Sequence, residues 1–328
     1  MSNNISLQHP PRVLFFGMEG AFSFPSLVAL LESGVEVCAV VVPASSRPGQ
    51  PPPPIQLREA PRVLRSTLPL VNSSLYTSIV QLAWQKRLPL WEVSRLSHPE
   101  TVRILAAYQP DILCVSCFSL RIPQSILALP RLGCLNVHPS LLPANRGPVP
   151  LFWTFREGSA TTGVTIHLMG EKMDSGDILA QEVISVADGI SYNQLEAQCA
   201  VQGGTLLAQT VWQLYEGNIT ARPQDEERSY YHSFPSDDDF VVPVKEWDAR
   251  HVYNFIRGVG HWDQPVTLQI DGEALYCRNV NSYGLDDNGF DNNVQYYWTE
   301  EGLKIRCKIG WICVENSVYS QQIKKLER

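Results

Sequence analysis

Long hydrophobic runs are missing from this chain: nowhere do about 18 apolar residues follow one another, so no membrane-spanning helix is expected. The stretch Met1 to Pro11 is polar and lacks the apolar centre of a secretory signal, which supports a cytoplasmic protein without a membrane partner. An excess of positive charge is missing as well. Lys and Arg number 26 against 33 Asp and Glu, and the deficit is local: residues 1–222 hold 15 acidic and 15 basic groups, whereas 223–328 hold 18 acidic and 11 basic. Binding to DNA needs clustered cations against phosphate and is not expected.

A disulfide framework is absent too. The eight cysteines, at 38, 114, 117, 134, 199, 277, 307 and 313, fall mostly inside apolar strand-like runs, the pattern of reduced, buried thiols. Cys114 and Cys117 make one Cys-x-x-Cys, but on a strand i and i+3 face opposite sides, so the pair is not read as a metal or redox site. The seven histidines are scattered, no other His/Cys/Asp grouping has ligand spacing, and no metal is expected. Gly17-x-x-Gly20 follows the first strand without the third glycine of a dinucleotide fingerprint, and no acidic residue ends the second strand, so a nicotinamide cofactor is not expected either. No internal repeat is visible.

What is present, over 328 residues, is enough for about two domains. The first half alternates short apolar strands with helical patterns: strands at 12–17, 35–42, 89–93, 111–117 and 134–138, and helices near 74–87 and 99–108. A further helix after the first strand has Ser23 as its expected cap, Pro25 in its first turn and Gly34 at its end. The Pro-rich stretch 43–55 reads as a loop. Strands at 163–169 and 178–186 are expected to pair around the turn carrying Asp174, and Ser191 with Gln194 makes a capping box opening a helix to about Tyr215. Residues 217–239 are polar and read as a linker. Beyond it come a helix at 247–257 and short strands with turns at Asp271-Gly272, Asp287-Asn288-Gly289 and Gly302. The expected fold is α/β: an open, mostly parallel twisted sheet in a catalytic domain 1–216, then a small β-barrel-like, OB-like domain 240–328.

The most informative stretch is Asn136-Val137-His138-Pro139-Ser140-Leu141-Leu142-Pro143, followed by Arg146-Gly147-Pro148 and by Met173-Asp174-Ser175-Gly176-Asp177. Asn136 and His138, at i and i+2, point to one face of a strand that Pro139 ends, at the edge where open α/β sheets bind ligands. An amide donor beside an imidazole can stabilise charge on a carbonyl oxygen and move a proton near neutral pH. A structural histidine and an ordinary Asp-Gly turn would fit the same residues. Thr165 and His167 share one face of a strand, where His167 is either a support for that site or a structural residue.

These motifs, Asn-x-His-x-Ser-Leu-Leu-Pro, Arg-Gly and Asp-x-Gly, resemble those of the formyltransferases that use 10-formyltetrahydrofolate, and the resemblance runs nearly the whole length. It implies that a primary amine attacks the formyl carbon while Asn136 and protonated His138 hold the oxyanion. Asp174 would orient His138 and help move the proton, and tetrahydrofolate leaves through its N10. It further implies folate contacts from Cys117, Phe118, Leu120, Ile122, Met173 and Gly176, with Ser140, Leu142, Pro143, Arg146 and Gly147 on the acceptor side. The part from Glu246-Trp247 through Val252 to Gly258 and onward resembles the C-terminal domains of methionyl-tRNA formyltransferases and of the formyltetrahydrofolate dehydrogenase hydrolase module. That favours methionyl-tRNA as acceptor amine. An amino-sugar nucleotide, hydrolysis by water, and a non-catalytic folate-binding protein stay open. Against tRNA stand the acidic 223–328 segment and a 43–55 loop with Arg47 as its one cation; Lys304, Arg306 and Lys308, alternating on a strand with Lys324 and Lys325 in the tail, are the candidates for meeting phosphate.

Overall fold

The computed structural model describes residues 9–45, 51–61, 78–286, 290 and 294–315. Expectations for Arg47, for 74–77, for the 287–289 turn and for Lys324 and Lys325 fall outside these. The chain forms two compact units, the first from 1–146, 163–183 and 197–230, the second from 147–162, 184–196 and 231–328. The segment 217–239 is therefore divided, its first fourteen residues counting with the first unit.

The apolar runs of the first half become β1 (Arg12–Gly17), β2 (Glu36–Pro43), β3 (Ile55–Leu57), β4 (Leu90–Val93), β5 (Ile112–Ser116) and β6 (Cys134–His138). With β7 (Thr161–Leu168) and β8 (Ile178–Ser185) they form one sheet in the order β3-β4-β2-β1-β5-β6-β7-β8. From β4 to β6 the strands are parallel, while β3 and β7 run antiparallel to β4 and β6. Burial on both faces explains the unbroken hydrophobic runs: every residue of β5, and all of β1 after Arg12, is buried. The chain winds from β1 outward through β2 to β4, then returns to lay β5 on the other side of β1. Strand order thus reverses between β1 and β5, and the crevice outside their carboxyl ends is where such sheets take ligands.

The α-helices among the described residues are α1 (Ser23–Glu32), α2 (Ile79–Gln85), α3 (Pro99–Ala106), α4 (Gln124–Leu127), α5 (Pro150–Arg156), α6 (Tyr192–Tyr215) and α7 (Ala249–Val259). Three differences from the sequence reading are physical. Ser23 does not cap α1, whose N-cap is Phe22. Its hydroxyl instead accepts from the Met18 N–H (3.0 Å) and donates to the Ser116 carbonyl (2.5 Å), joining the turn after β1 to the end of β5. The 43–55 loop runs into β3, three residues long and too short to show alternation, with Ile55 buried against the sheet. Finally α4 and α5, of four and seven residues, are too brief to carry a helical period.

In the second unit β9 (Val241–Pro243), β10 (Val266–Ile270) and β11 (Glu273–Cys277) make a three-stranded sheet in the order β11-β10-β9. A second sheet, β12-β15-β14-β13, contains β12 (Val280–Gly284), β13 (Tyr296–Thr299), β14 (Gly302–Arg306) and β15 (Trp311–Val314). Asp248 caps α7 by accepting from the His251 N–H. Phe152 of α5 centres an aromatic cluster, 5.1 Å from Phe240, 5.8 Å from Phe255 and 5.3 Å from Trp262 between ring centroids, distances at which edge and tilted pairs attract. On β14 the Lys304 ammonium lies 4.0 Å from the Trp311 ring centre and the Arg306 guanidinium 5.0 Å from that of Phe290. Among the described residues no helix is long and apolar enough to cross a membrane.

Because the Ser23 hydroxyl pairs a buried donor and acceptor at the reversal point, Ser23→Ala is expected to lower unfolding free energy by about 1–3 kcal/mol, the cost of orphaning such groups. Urea unfolding of the two proteins checks it; equal midpoints would mean water takes over both bonds.

Candidate active site

Two antiparallel strands assemble the polar cluster. Pairing of β6 with β7 sets Asn136 opposite His167 and His138 opposite Thr165, so four side chains at alternate positions share one face near the carboxyl end of β6. The Asn136 amide donates to His167 Nε2 at 3.2 Å, and His167 Nδ1–H donates to the Leu168 carbonyl at 2.9 Å, which fixes the tautomer. The turn after β7 then brings in Asp174. Its Oδ1 lies 3.6 Å from His167 Nε2 and its Oδ2 3.8 Å from His138 Nδ1. On the ring's other side His138 Nε2–H donates to the Asn145 carbonyl at 2.9 Å. The structure thus gathers Asn136, His138 and Asp174, and adds His167, whose role the sequence left open.

Burial controls the charge of His138. His138 is 4% exposed, and loss of water pushes its pKa below the ordinary histidine value; Asp174 and the Asn145 carbonyl pull it up, and His167 pulls it down. The net shift is downward, so the imidazole rests neutral near neutral pH. This differs from the protonated His138 that the resemblance implies. A neutral imidazole with a carboxylate and a carbonyl oxygen waiting on either side is a proton acceptor whose charged form is met as soon as it forms. An amide such as that of Asn136, with one hydrogen on His167, has a second with which an oxyanion could be met.

The loop from Pro139 to Gly147 is built by its own polar groups. Thr165 Oγ1 donates to the Ser140 carbonyl (2.6 Å) and accepts from the Leu142 N–H (3.2 Å) and from Gln181 Nε2 (3.0 Å), which also donates to the Leu142 carbonyl (2.8 Å). Ser140 Oγ donates to the Ala144 carbonyl at 2.7 Å, and the Leu142–Pro143 peptide is cis. Arg146 is buried, its guanidinium on Gln224 and Glu226. Gly147 has φ of 116° and a Cβ there would strike the His232 carbonyl, while a Cβ on Gly176 would overlap the Leu168 carbonyl oxygen. Of the residues expected to face the acceptor, Ser140, Leu142, Arg146 and Gly147 are therefore seen shaping the loop, and Pro143 is half-buried.

On the expected folate side, Cys117 stands exposed at the carboxyl end of β5 with φ of 56°. Phe118 and Leu120 are half-buried against the sheet core, Phe118 edge-on to Phe16 at 5.2 Å. Ile122 is 8% exposed and belongs to that core, whereas Met173 is 55% exposed beside Asp174. Sequence reasoning missed Asn145, Gln181 and Gln224. Thr165 and His167 do carry a signal, the same i, i+2 spacing as Asn136 and His138; Gln224, in a polar segment, carries none.

Residues 46–211 match the formyl transferase family. The methionyl-tRNA formyltransferase of Pelotomaculum thermopropionicum is 31% identical over 253 residues, covering 76% of this chain and 73% of its own length. That of Geotalea daltonii is 27% identical over 310 residues, covering 93% and 89%. Among solved structures, the N-formyltransferase from Helicobacter canadensis, in complex with folinic acid and dTDP-3-aminofucose, superposes with a TM-score of 0.59 at 14% identity, over 92% of this chain and 98% of that one, a likeness of fold. With the Asn-x-His edge, the Asp-x-Gly turn and a matched region spanning half its length, the chain belongs to the formyl transferase family, enzymes that take their formyl group from 10-formyltetrahydrofolate.

Proposed function

We propose that Asn136, His138 and Asp174 carry the transfer and that the acceptor is the amino group of methionyl-tRNA. The observation behind the catalytic assignment is the Asp174 carboxylate facing both buried imidazoles, at 3.6 and 3.8 Å. A neutral amine attacks the formyl carbon, and the carbonyl electron pair moves onto oxygen, where the remaining Asn136 amide hydrogen meets it. Neutral His138 takes the proton that the new nitrogen–carbon bond makes acidic, and Asp174 stabilises the imidazolium. The oxygen electron pair returns, the bond from carbon to N10 breaks, and the same proton passes to N10. Folate contacts fall to Cys117, Phe118, Leu120, Ile122, Met173 and Gly176. Seven of the eight cysteines are buried, which supports a reducing, cytoplasmic setting.

Methionyl-tRNA is supported by relatives of that name matched through both units, over 93% of this chain in one case. One observation favours a small amine such as an amino-sugar nucleotide. The 223–328 segment is acidic, and two of its candidate phosphate-binding cations, Lys304 and Arg306, already lie over aromatic rings.

His138→Ala and Asp174→Ala are each expected to cut turnover at least about a hundredfold with folding intact, the usual scale of proton-transfer and oxyanion contributions. Release of tetrahydrofolate measures it, and unchanged kcat removes that residue from the mechanism. The pH profile tests the charge state. Activity should fall as pH drops through the His138 pKa, which burial has lowered; Asp174→Asn removes a contribution that raises it, so the acid limb of kcat/KM should move to lower pH.

For the acceptor, charged initiator tRNA, an amino-sugar nucleotide and water are to be compared with 10-formyltetrahydrofolate as donor. Formylation of the tRNA, weakening with salt by roughly one power per phosphate neutralised, is the expected result. Turnover of the sugar nucleotide with none of the tRNA would refute this acceptor.

A further inference from the structure

Resting on the catalytic reading above, we infer that Gln224 is a positioning residue: it clamps together the two segments that place oxygen acceptors on opposite sides of the His138 imidazole. Its amide group is fully used. Nε2 donates to the Asp174 carbonyl (2.8 Å) and the Gly176 carbonyl (2.7 Å), and Oε1 accepts from Arg146 Nε (3.1 Å) and Nη2 (2.8 Å). Two donors meet two carbonyls and two lone pairs meet one guanidinium, so the opposite orientation of the amide would set like against like at all four contacts.

The connections close a ring. From His138 Nε2 the path runs to the Asn145 carbonyl, along the chain to Arg146, across its guanidinium to Gln224, on to the backbone of Asp174, and through its carboxylate back to His138 Nδ1. Both acceptor segments need holding, since Asn145 and Asp174 sit at φ of 55° and 52°, a region where residues other than glycine are strained. Gln224 itself is anchored from both sides. Two residues earlier Arg222 exchanges backbone hydrogen bonds with Ile178 (2.8 and 2.9 Å), and two residues later Glu226 holds Arg146 through both carboxylate oxygens (3.1 and 2.9 Å). A surface segment that neither touches the imidazole nor shares a motif with it thus sets the spacing of that imidazole's neighbours.

The titratable groups facing His138 are Asp174 and His167, with the Asn145 carbonyl as the remaining polar neighbour. Asp174 and Asn145 both favour the charged ring and both depend on the clamp; His167 opposes it and is held by β7 independently. Burial is the largest influence on the ring; with the ring still buried, withdrawal of these two acceptors makes His138 less basic. The test is Gln224→Met, which keeps chain length and removes all four hydrogen bonds, with Glu227→Gln as an exposed neighbouring control. His138 is titrated by NMR of labelled histidine without substrate, its signal assigned by comparison with His138→Gln. For Gln224→Met the midpoint should move to lower pH and kcat should fall at least about tenfold, as for a reacting group held slightly out of place, with KM for the folate within about twofold. Glu227→Gln should change none of these. A midpoint and a kcat both equal to the parent's overturn the inference, and so does a lowered kcat with an unmoved midpoint. If Gln224→Met does not fold, Gln224→Asn, one methylene shorter, withdraws the amide from the carbonyls and is held to the same outcomes. Since the titration involves no reaction, the clamp can fail while His138→Ala still abolishes turnover, and the converse failure is equally visible.

Discussion

A carboxylate placed between two buried imidazoles is the constraint around which the first unit is organised. Asp174 has little contact with water, its side chain 11% exposed, and it faces the His138 and His167 nitrogens that are open to a proton, at 3.8 and 3.6 Å. That placement requires that β6 and β7 run antiparallel in the register that pairs Asn136 with His167 and His138 with Thr165. It requires Gly176, since any side chain there would collide with the Leu168 carbonyl as the turn folds back. A one-residue slip would send His138 and Asn136 to the other face together. Sheet register, turn glycine and catalytic geometry are in this sense one requirement expressed at three places.

Much of this was legible because it is local. The buried parallel strands announce themselves as unbroken apolar runs, and Asn136 with His138 declares a shared face through spacing alone. The Ser191–Gln194 capping box, present in the structure, locates the start of α6. What escaped is long-range. Ser23 looks like a helix cap until β5, more than ninety residues away, supplies the carbonyl it serves. Gln224 sits among charged and polar residues that read as a linker, and its partners at 146, 174 and 176 are known only once the chain has folded. Asn145 lies between two motif residues, yet it is the backbone carbonyl that meets His138, and no side-chain pattern encodes that.

The resting neutrality of His138 also bears on which amines can be formylated. An imidazole whose basicity burial has lowered is a poor match for an ammonium of lysine type, with pKa near 10.4, which near neutral pH is almost wholly protonated and has no lone pair to offer. An α-amino group, near 7.7–8.0, is present as the free amine in substantial fraction at the same pH. Once such an amine has attacked, its nitrogen bears positive charge and becomes far more acidic, and even a weakly basic imidazole beside Asp174 can receive the proton. On the proposed mechanism an acceptor must arrive as the free amine, a condition that an α-amino group meets near neutral pH in far larger fraction than a lysine.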